Sequence, residues 1–289
     1  MRKYALALIM LASLNVQASK PVKMVVAYPV GGGTDIVTRY FENKMQGKFF
    51  VENKAGASGM IGTDLVAKSA PDGRTLMMGH VTPQAIDVGQ YLTPKVKTNW
   101  DLEPVVLVAT AKEMLVANRA FPPNTMAELK EYAKNNIITY ASDGIGSVAD
   151  IMMAQTLKGY MTIHVPYKGG APALQSVLMN ETSIAYSPAP VVAQWSNSDR
   201  IKIIPTNTSD DLWWGVFAPK GTDPKLLDMW HTEFVKILKQ PDTAEWMKKQ
   251  GYNIKIISRK DFANFVKQEQ DRYRPIDRTI KGAKDGQNP

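Results

Sequence analysis

Residues 27–40 read AYPVGGGTDIVTRY, an apolar run that stops at Gly31-Gly32-Gly33 and resumes with helical spacing. Val22–Tyr28 is rich in Val and reads as a short strand, and Thr34–Met45 spaces its apolar residues as one face of a helix. Glycines between a strand and a helix permit positive φ and close backbone approach, while the helix offers free amides and the positive end of its dipole. An anionic group held at Gly33–Asp35 is the functional expectation, and a plain tight turn is the alternative. Outward from this point, strands are predicted at Lys48–Glu52 and Thr75–Gly79, with a helix at Ser58–Ser69 between them. Strand–helix–strand alternation with short connections predicts a parallel, doubly wound sheet.

Nucleotide motifs at the same glycines fail on their chemistry. Gly31 and Gly33 match the first two positions of G-x-G-x-x-G, but Ile36 stands where close helix–strand packing needs the third glycine. Asp35 would also repel a pyrophosphate. No Lys-Ser or Lys-Thr follows at P-loop spacing. The chain has three histidines, His80, His164 and His231, widely separated and without H-E-x-x-H, and it has no cysteine. G-x-S-x-G is absent as well. No metal site, cofactor or catalytic residue is expected.

Further strands are predicted at Val105–Ala109 and Met114–Asn118. Thr125 and Glu128 then form a capping box for a helix to about Asn135. Strand Ile137–Ala141, helix Ser147–Lys158, strand Met161–Val165, a helix with Pro172 at its first position, and strands Thr182–Tyr186 and Ile201–Ile204 make a second set. Trp213–Ala218 is a strand, Asp223-Pro224 starts a helix to about Lys239, Pro241 starts another ended by Gly251, and Ile254–Ile257 is a short strand. Ser258 and Asp261 cap a final helix.

Within this second set, YASDGIGS (Tyr140–Ser147) repeats the plan of the first loop: strand, glycines, hydroxyls, helix start. Two such helix N-termini facing each other would hold a small anion by backbone amides alone. His80 ends the third strand, where ligands of open α/β sheets gather; contact with a ligand and capping of the next helix remain equal alternatives there. HVPYKGGAPAL (His164–Leu174) offers Tyr167 as a pocket wall. For at least one of Trp213 and Trp214, core packing is the expectation.

The 289 residues carry 35 Lys and Arg against 27 Asp and Glu, a formal charge of +8. Composition is globular, with 44% hydrophobic and 21% charged residues, which excludes wholesale disorder. The N-terminus, MRKYALALIMLASLNVQASK, combines a basic head, a short apolar run and small residues, which predicts a signal peptide over residues 1–18 cut after Ala18. Its removal takes Arg2 and Lys3 and leaves a charge of +6. Export and interspersed charges argue against a nucleic-acid partner.

Five segments in this order, YPVGGGTDIVTR, VENKAGASGMIGTDLVAKSAPDGRTLMMG, YASDGIGS, VPYKGGAPAL and WWGVFAPKGTDPKLL, resemble the solute receptors of tripartite tricarboxylate transporters, the Bug-type binding proteins. The resemblance runs from about Lys23 to the C-terminal helices. It implies a two-lobed α/β periplasmic binding protein of type II-like plan, each lobe a mostly parallel sheet flanked by helices, closing on ligand like a flytrap. Lobe I would take residues 19–117 and 208–289, and lobe II residues 118–207. The implied activity is capture of a small carboxylate by a monomer in the periplasm, without catalysis or cofactor, for delivery to integral membrane transporter subunits. A receptor for another transporter or sensor, or an exported α/β enzyme, is the alternative. By position, the resemblance implicates Tyr28, Gly32, Gly33, Thr34, Asp35, His80, Thr82, Ser142, Gly144 and Ser147, with Tyr167, Tyr186 and Ser187 as further second-lobe contacts. The chain departs from the family pattern in its short Pro205–Leu212 connection and at Asp150, Asn180 and Ser183.

Overall fold

The computed structural model describes residues 21–91, 101–207 and 212–284. The expected leader lies outside these residues, as do 208–211 of the short connection and the last five positions. Among the described residues no helix is long and apolar enough to cross a membrane.

The chain begins with β1 (Val22–Val26), α1 (Gly33–Met45), β2 (Phe49–Asn53), α2 (Met60–Ala67), β3 (Thr75–His80), α3 (Val81–Ala85) and β4 (Leu102–Ala111). It then crosses at Lys112 into β5 (Glu113–Asn118), α4 (Met126–Ala133), β6 (Ile138–Ser142), α5 (Val148–Thr156), β7 (Thr162–Pro166), α6 (Gly170–Leu178), β8 (Ile184–Pro188), α7 (Ala189–Ala193) and β9 (Ile201–Ile204). It returns through β10 (Leu212–Pro219), α8 (Pro224–Leu238), α9 (Pro241–Lys249), β11 (Asn253–Ile254) and α10 (Arg259–Lys284).

Two sheets result, ordered β11-β4-β10-β3-β1-β2 and β7-β6-β8-β5-β9. Both are mixed: β1, β2 and β3 form the parallel part that the sequence predicts, and later strands run against it. β1 runs parallel to β2 and β3, while β10 lies antiparallel to both β3 and β4. In the second sheet β6 is parallel to β7 and β8, and β5 is antiparallel to β8 and β9. β5 and β10, the strands that follow a crossing between lobes, are reversed, as is the two-residue edge strand β11. A chain that enters a sheet at the end where its other strands finish must run against them.

The crossing also shifts a boundary. The expected division after residue 117 would leave most of β5 in the first lobe, but the pairing of Leu115 with Tyr186 and Ile204 puts this strand in the second sheet. Two smaller differences concern ends. Pro172 is the third residue of α6, not the first, a place where its missing amide proton still goes unused. The strand expected at Ile254–Ile257 is the two-residue β11, paired at the edge to β4.

The first lobe buries one large core that includes Met24, Phe41, Trp213, Trp214, Phe217, Phe234 and Phe262. In the second lobe one cluster, with Leu115, Tyr140 and Tyr186, covers one sheet face, and another, with Val116, Ala141 and Leu174, covers the other. The alternation of Leu115/Val116 and Tyr140/Ala141 between clusters is the period-2 pattern of strands buried on both faces. Val148 and Ile151 of α5 join the first lobe's core, so the lobes share apolar contact.

Candidate functional site

The two glycine loops are braced by the same device. Asp35 is the third residue of α1, and its carboxylate accepts from the Gly31 amide at 3.0 Å. Asp150 is the third residue of α5, and its carboxylate accepts from the Gly146 amide at 2.8 Å. Each acid reaches back across the start of its helix and complements the dipole there. Asp35 also accepts from Arg39 Nε at 3.0 Å and from Asn53 Nδ2 at 2.9 Å. Asp150 also accepts from the Tyr140 hydroxyl at 3.1 Å, and its amide donates to Ser147 Oγ at 3.2 Å. These carboxylates therefore hold the loops in shape, and the amides of the first turns remain without intrahelical acceptors.

The first loop is tied down from the C-terminal part of the chain. Trp214 Nε1 donates to Thr34 Oγ1 at 2.9 Å, and the Tyr252 hydroxyl donates to the Gly33 carbonyl at 2.5 Å. The indoles of Trp213 and Trp214 are both fully buried. Trp213 serves the core, with its Nε1 donating to Glu269 at 3.2 Å, whereas Trp214 walls the site.

Between the lobes lies a cavity of about 20 Å³, room for about one water molecule. The first lobe lines it with Tyr28, Gly32, Gly33, Thr34, His80 and Trp214, and the second with Asp143, Gly170 and Pro188. Its floor thus contains the start of α1 and, opposite, the start of α6. Of the residues expected at the site, Tyr28, Gly32, Gly33, Thr34 and His80 border this space.

His80 caps the next helix and also borders the cavity. It is the N-cap of α3, with Nδ1 accepting from the Thr82 amide at 3.5 Å and lying 3.3 Å from the Tyr28 hydroxyl. Burial lowers its pKa to about 3, so the ring is neutral at physiological pH. With Nδ1 accepting, the proton sits on Nε2, which makes the ring a neutral donor. Burial, followed by the charge of Asp143, raises the pKa of Tyr28 well above its ordinary value. Thr82 Oγ1 and Ser187 Oγ are buried without a hydrogen-bond partner.

Other expected residues support the site from behind. Ser147 caps α5, and Gly144 packs against Ser58 of the first lobe. The Tyr186 hydroxyl meets Thr156 Oγ1 at 3.1 Å in the second-lobe core, and the Tyr167 hydroxyl donates to Glu181 at 3.4 Å on the surface. Ser142 Oγ lies 2.7 Å from His164 Nε2, and His164 Nδ1 lies 3.4 Å from Asp150 Oδ1, an order of groups that sequence spacing did not reveal. It is unsuited to nucleophilic catalysis. Ser142 is fully buried, and the Gly144 carbonyl and amide both engage its hydroxyl, so no acyl carbon can approach. Among the described residues no cluster of His, Asp or Glu could hold a metal.

The residue missed by sequence reasoning is Asp143. It stands between Ser142 and Gly144 in YASDGIGS, and its position beside the loop glycine was the available signal.

Comparison with known proteins agrees with this architecture. A UPF0065 protein from the gbd 5' region of Cupriavidus necator is 30% identical over 282 residues, covering 86% of this chain and 83% of that protein. The solved periplasmic binding protein BugD is 28% identical with a TM-score of 0.77, and the match covers 89% of this chain and 98% of that one. An R. palustris protein solved with adipate shares the fold at a TM-score of 0.83 and 23% identity, over 92% of this chain and 98% of that one. Family and fold are those of periplasmic binding proteins rather than enzymes. The model of the tripartite tricarboxylate transporter family receptor matches residues 36–212 and 205–281, which takes in the second braced loop and the returning strand, and the chain belongs to that family.

Proposed function

We propose that this protein captures a small organic carboxylate between its lobes and delivers it, as a monomer, to the integral membrane subunits of a tripartite carrier. The observation that carries this reading is the pair of helix starts, α1 and α6, that meet across one cavity lined by no Lys or Arg. Amides oriented by a helix dipole hold an anion without a side-chain cation. Tyr28 and neutral His80 supply further polar groups. The adipate found with the R. palustris protein supports a carboxylate as the ligand class. Closure around ligand then turns binding energy into a lobe arrangement that a carrier can recognise.

The test is the melting temperature of protein from Ser19 onward against di- and tricarboxylates, amino acids, aromatic acids, sugars and nicotinamide dinucleotides. A ligand at 100 times its Kd adds about 2.7 kcal/mol, which raises the Tm by roughly 5–11 °C for a chain of this size. A shift with an organic acid is expected. A response confined to sugars or dinucleotides would overturn the reading.

A further inference from the structure

Asp143 is the one carboxylate among the residues that line the cavity, which the start of α1 also lines. Asp143 is 5% exposed, and its Oδ1 is buried without a hydrogen-bond partner. Across the cavity stand the first residues of α1, Gly33 and Thr34. Asp35 and Asp150 are satisfied by their loops, but Asp143 is not, although Ser147 and its own amide contribute hydrogen bonds. No Lys or Arg lines the space to neutralise it, and neutral His80 adds no charge. Glu113, buried at the start of β5, adds a second negative charge near Tyr28. One end of the cavity therefore favours an anion and the other a cation.

We infer that Asp143 receives the ammonium group of an amine-bearing carboxylate, so that the receptor prefers such a ligand over the plain acid of the same length. The inference rests on the carboxylate-receptor reading above and narrows it. A plain diacid would bring its second carboxylate against Asp143 in a space from which closure removes water, where like charges repel strongly. An ammonium placed there instead gains a charge-assisted hydrogen bond to Oδ1. Burial raises the Asp143 pKa to about 6, so at pH 8 the side chain is the anion this pairing needs.

Calorimetric titration at pH 8 with propionate and alanine, succinate and aspartate, glutarate and glutamate, and adipate and 2-aminoadipate separates the cases. In the pair whose length fits, the amine-bearing acid is expected to bind at least tenfold more tightly. In D143N that ratio is expected to fall to threefold or less. Equal or tighter binding of the plain acid by the unmodified protein overturns the inference and leaves the receptor reading standing, as does an unchanged ratio in D143N. If D143N does not fold, the ratio measured on the unmodified protein decides alone. If no acid of any pair binds, the receptor reading fails and this inference with it.

Discussion

Asp35, Asp143 and Asp150 are three buried aspartates with three different fates, set by what surrounds each carboxylate. Asp35 and Asp150 accept loop amides and are 1% exposed at no unmet cost. Asp143 lacks a partner for Oδ1, and burial raises its pKa from 3.8 to about 6. A raised folded-state pKa adds stability below 3.8 that is lost as pH rises through 6. His80 works the other way: burial lowers its pKa from 6.5 to about 3, so its contribution is present above 6.5 and is lost as pH falls toward 3. Between about pH 4 and 6 the two slopes oppose each other. In D143N the His80 slope is left uncompensated, with Tyr28 and Asp150 as the titratable neighbours of the substituted site. Denaturant melts from pH 7 to pH 4 should show D143N losing on the order of 2 kcal/mol relative to the unmodified protein. Parallel curves would show that Asp143 titrates normally.

The elements that matter most are the two glycine loops and the helices they start. Gly144 has φ +137°, and a Cβ there would lie 2.3 Å from Ser58 Oγ of the first lobe. Ser58 in turn donates to the Ile145 carbonyl at 2.8 Å, so this loop is both a helix start and a contact between lobes. Gly169, before α6, makes a similar approach, with a Cβ falling 2.6 Å from Pro29 Cδ. Gly144→Ala should keep both sheets intact yet weaken binding of the best acid at least tenfold, because closure is obstructed where the lobes meet. Adding Ser58→Gly should recover part of the loss, since Ser58 itself holds a left-handed φ of 52° that glycine adopts freely. Titration of the single and double variants measures this. Equal affinity in G144A would show that the loops do not meet during binding.

At the scale of the whole molecule, the lobes stand closed. Gln194 Nε2 of the second lobe donates to the Gly31 carbonyl at 3.2 Å, and the Ser58 contact closes the other side. A cavity of about 20 Å³ cannot take a four-carbon acid, so the lobes must part for entry. The contacts between them include a few polar bonds, the apolar residues of α5 and close approaches of Gly33 to Pro188 and of Gly169 to Pro29, an interface that can open. Small-angle scattering should find protein alone more extended than protein saturated with ligand, whose lobes stand only far enough apart to hold it. A profile unchanged by saturating ligand would exclude hinged closure.

Much of this protein was legible in its sequence because the signals are local. Strand, glycines and helix in AYPVGGGTDIVTRY follow from residue period and backbone freedom, and YASDGIGS repeats the same chemistry. The order of five segments identified the family. Tertiary structure decided what local signals cannot carry. β5 belongs to the second sheet because its partners are β8 and β9, distant in sequence, and β10 is reversed because it returns from the other lobe. Asp35 read as a possible ligand group, and Asp150 as a departure from the family pattern, until each carboxylate was found to accept a loop amide. Asp143 stood in the sequence as one residue of a glycine loop, and only the packing of two lobes around it buried its Oδ1 without a protein partner. Period and propensity act between neighbours in the chain, whereas desolvation and charge act between neighbours in space.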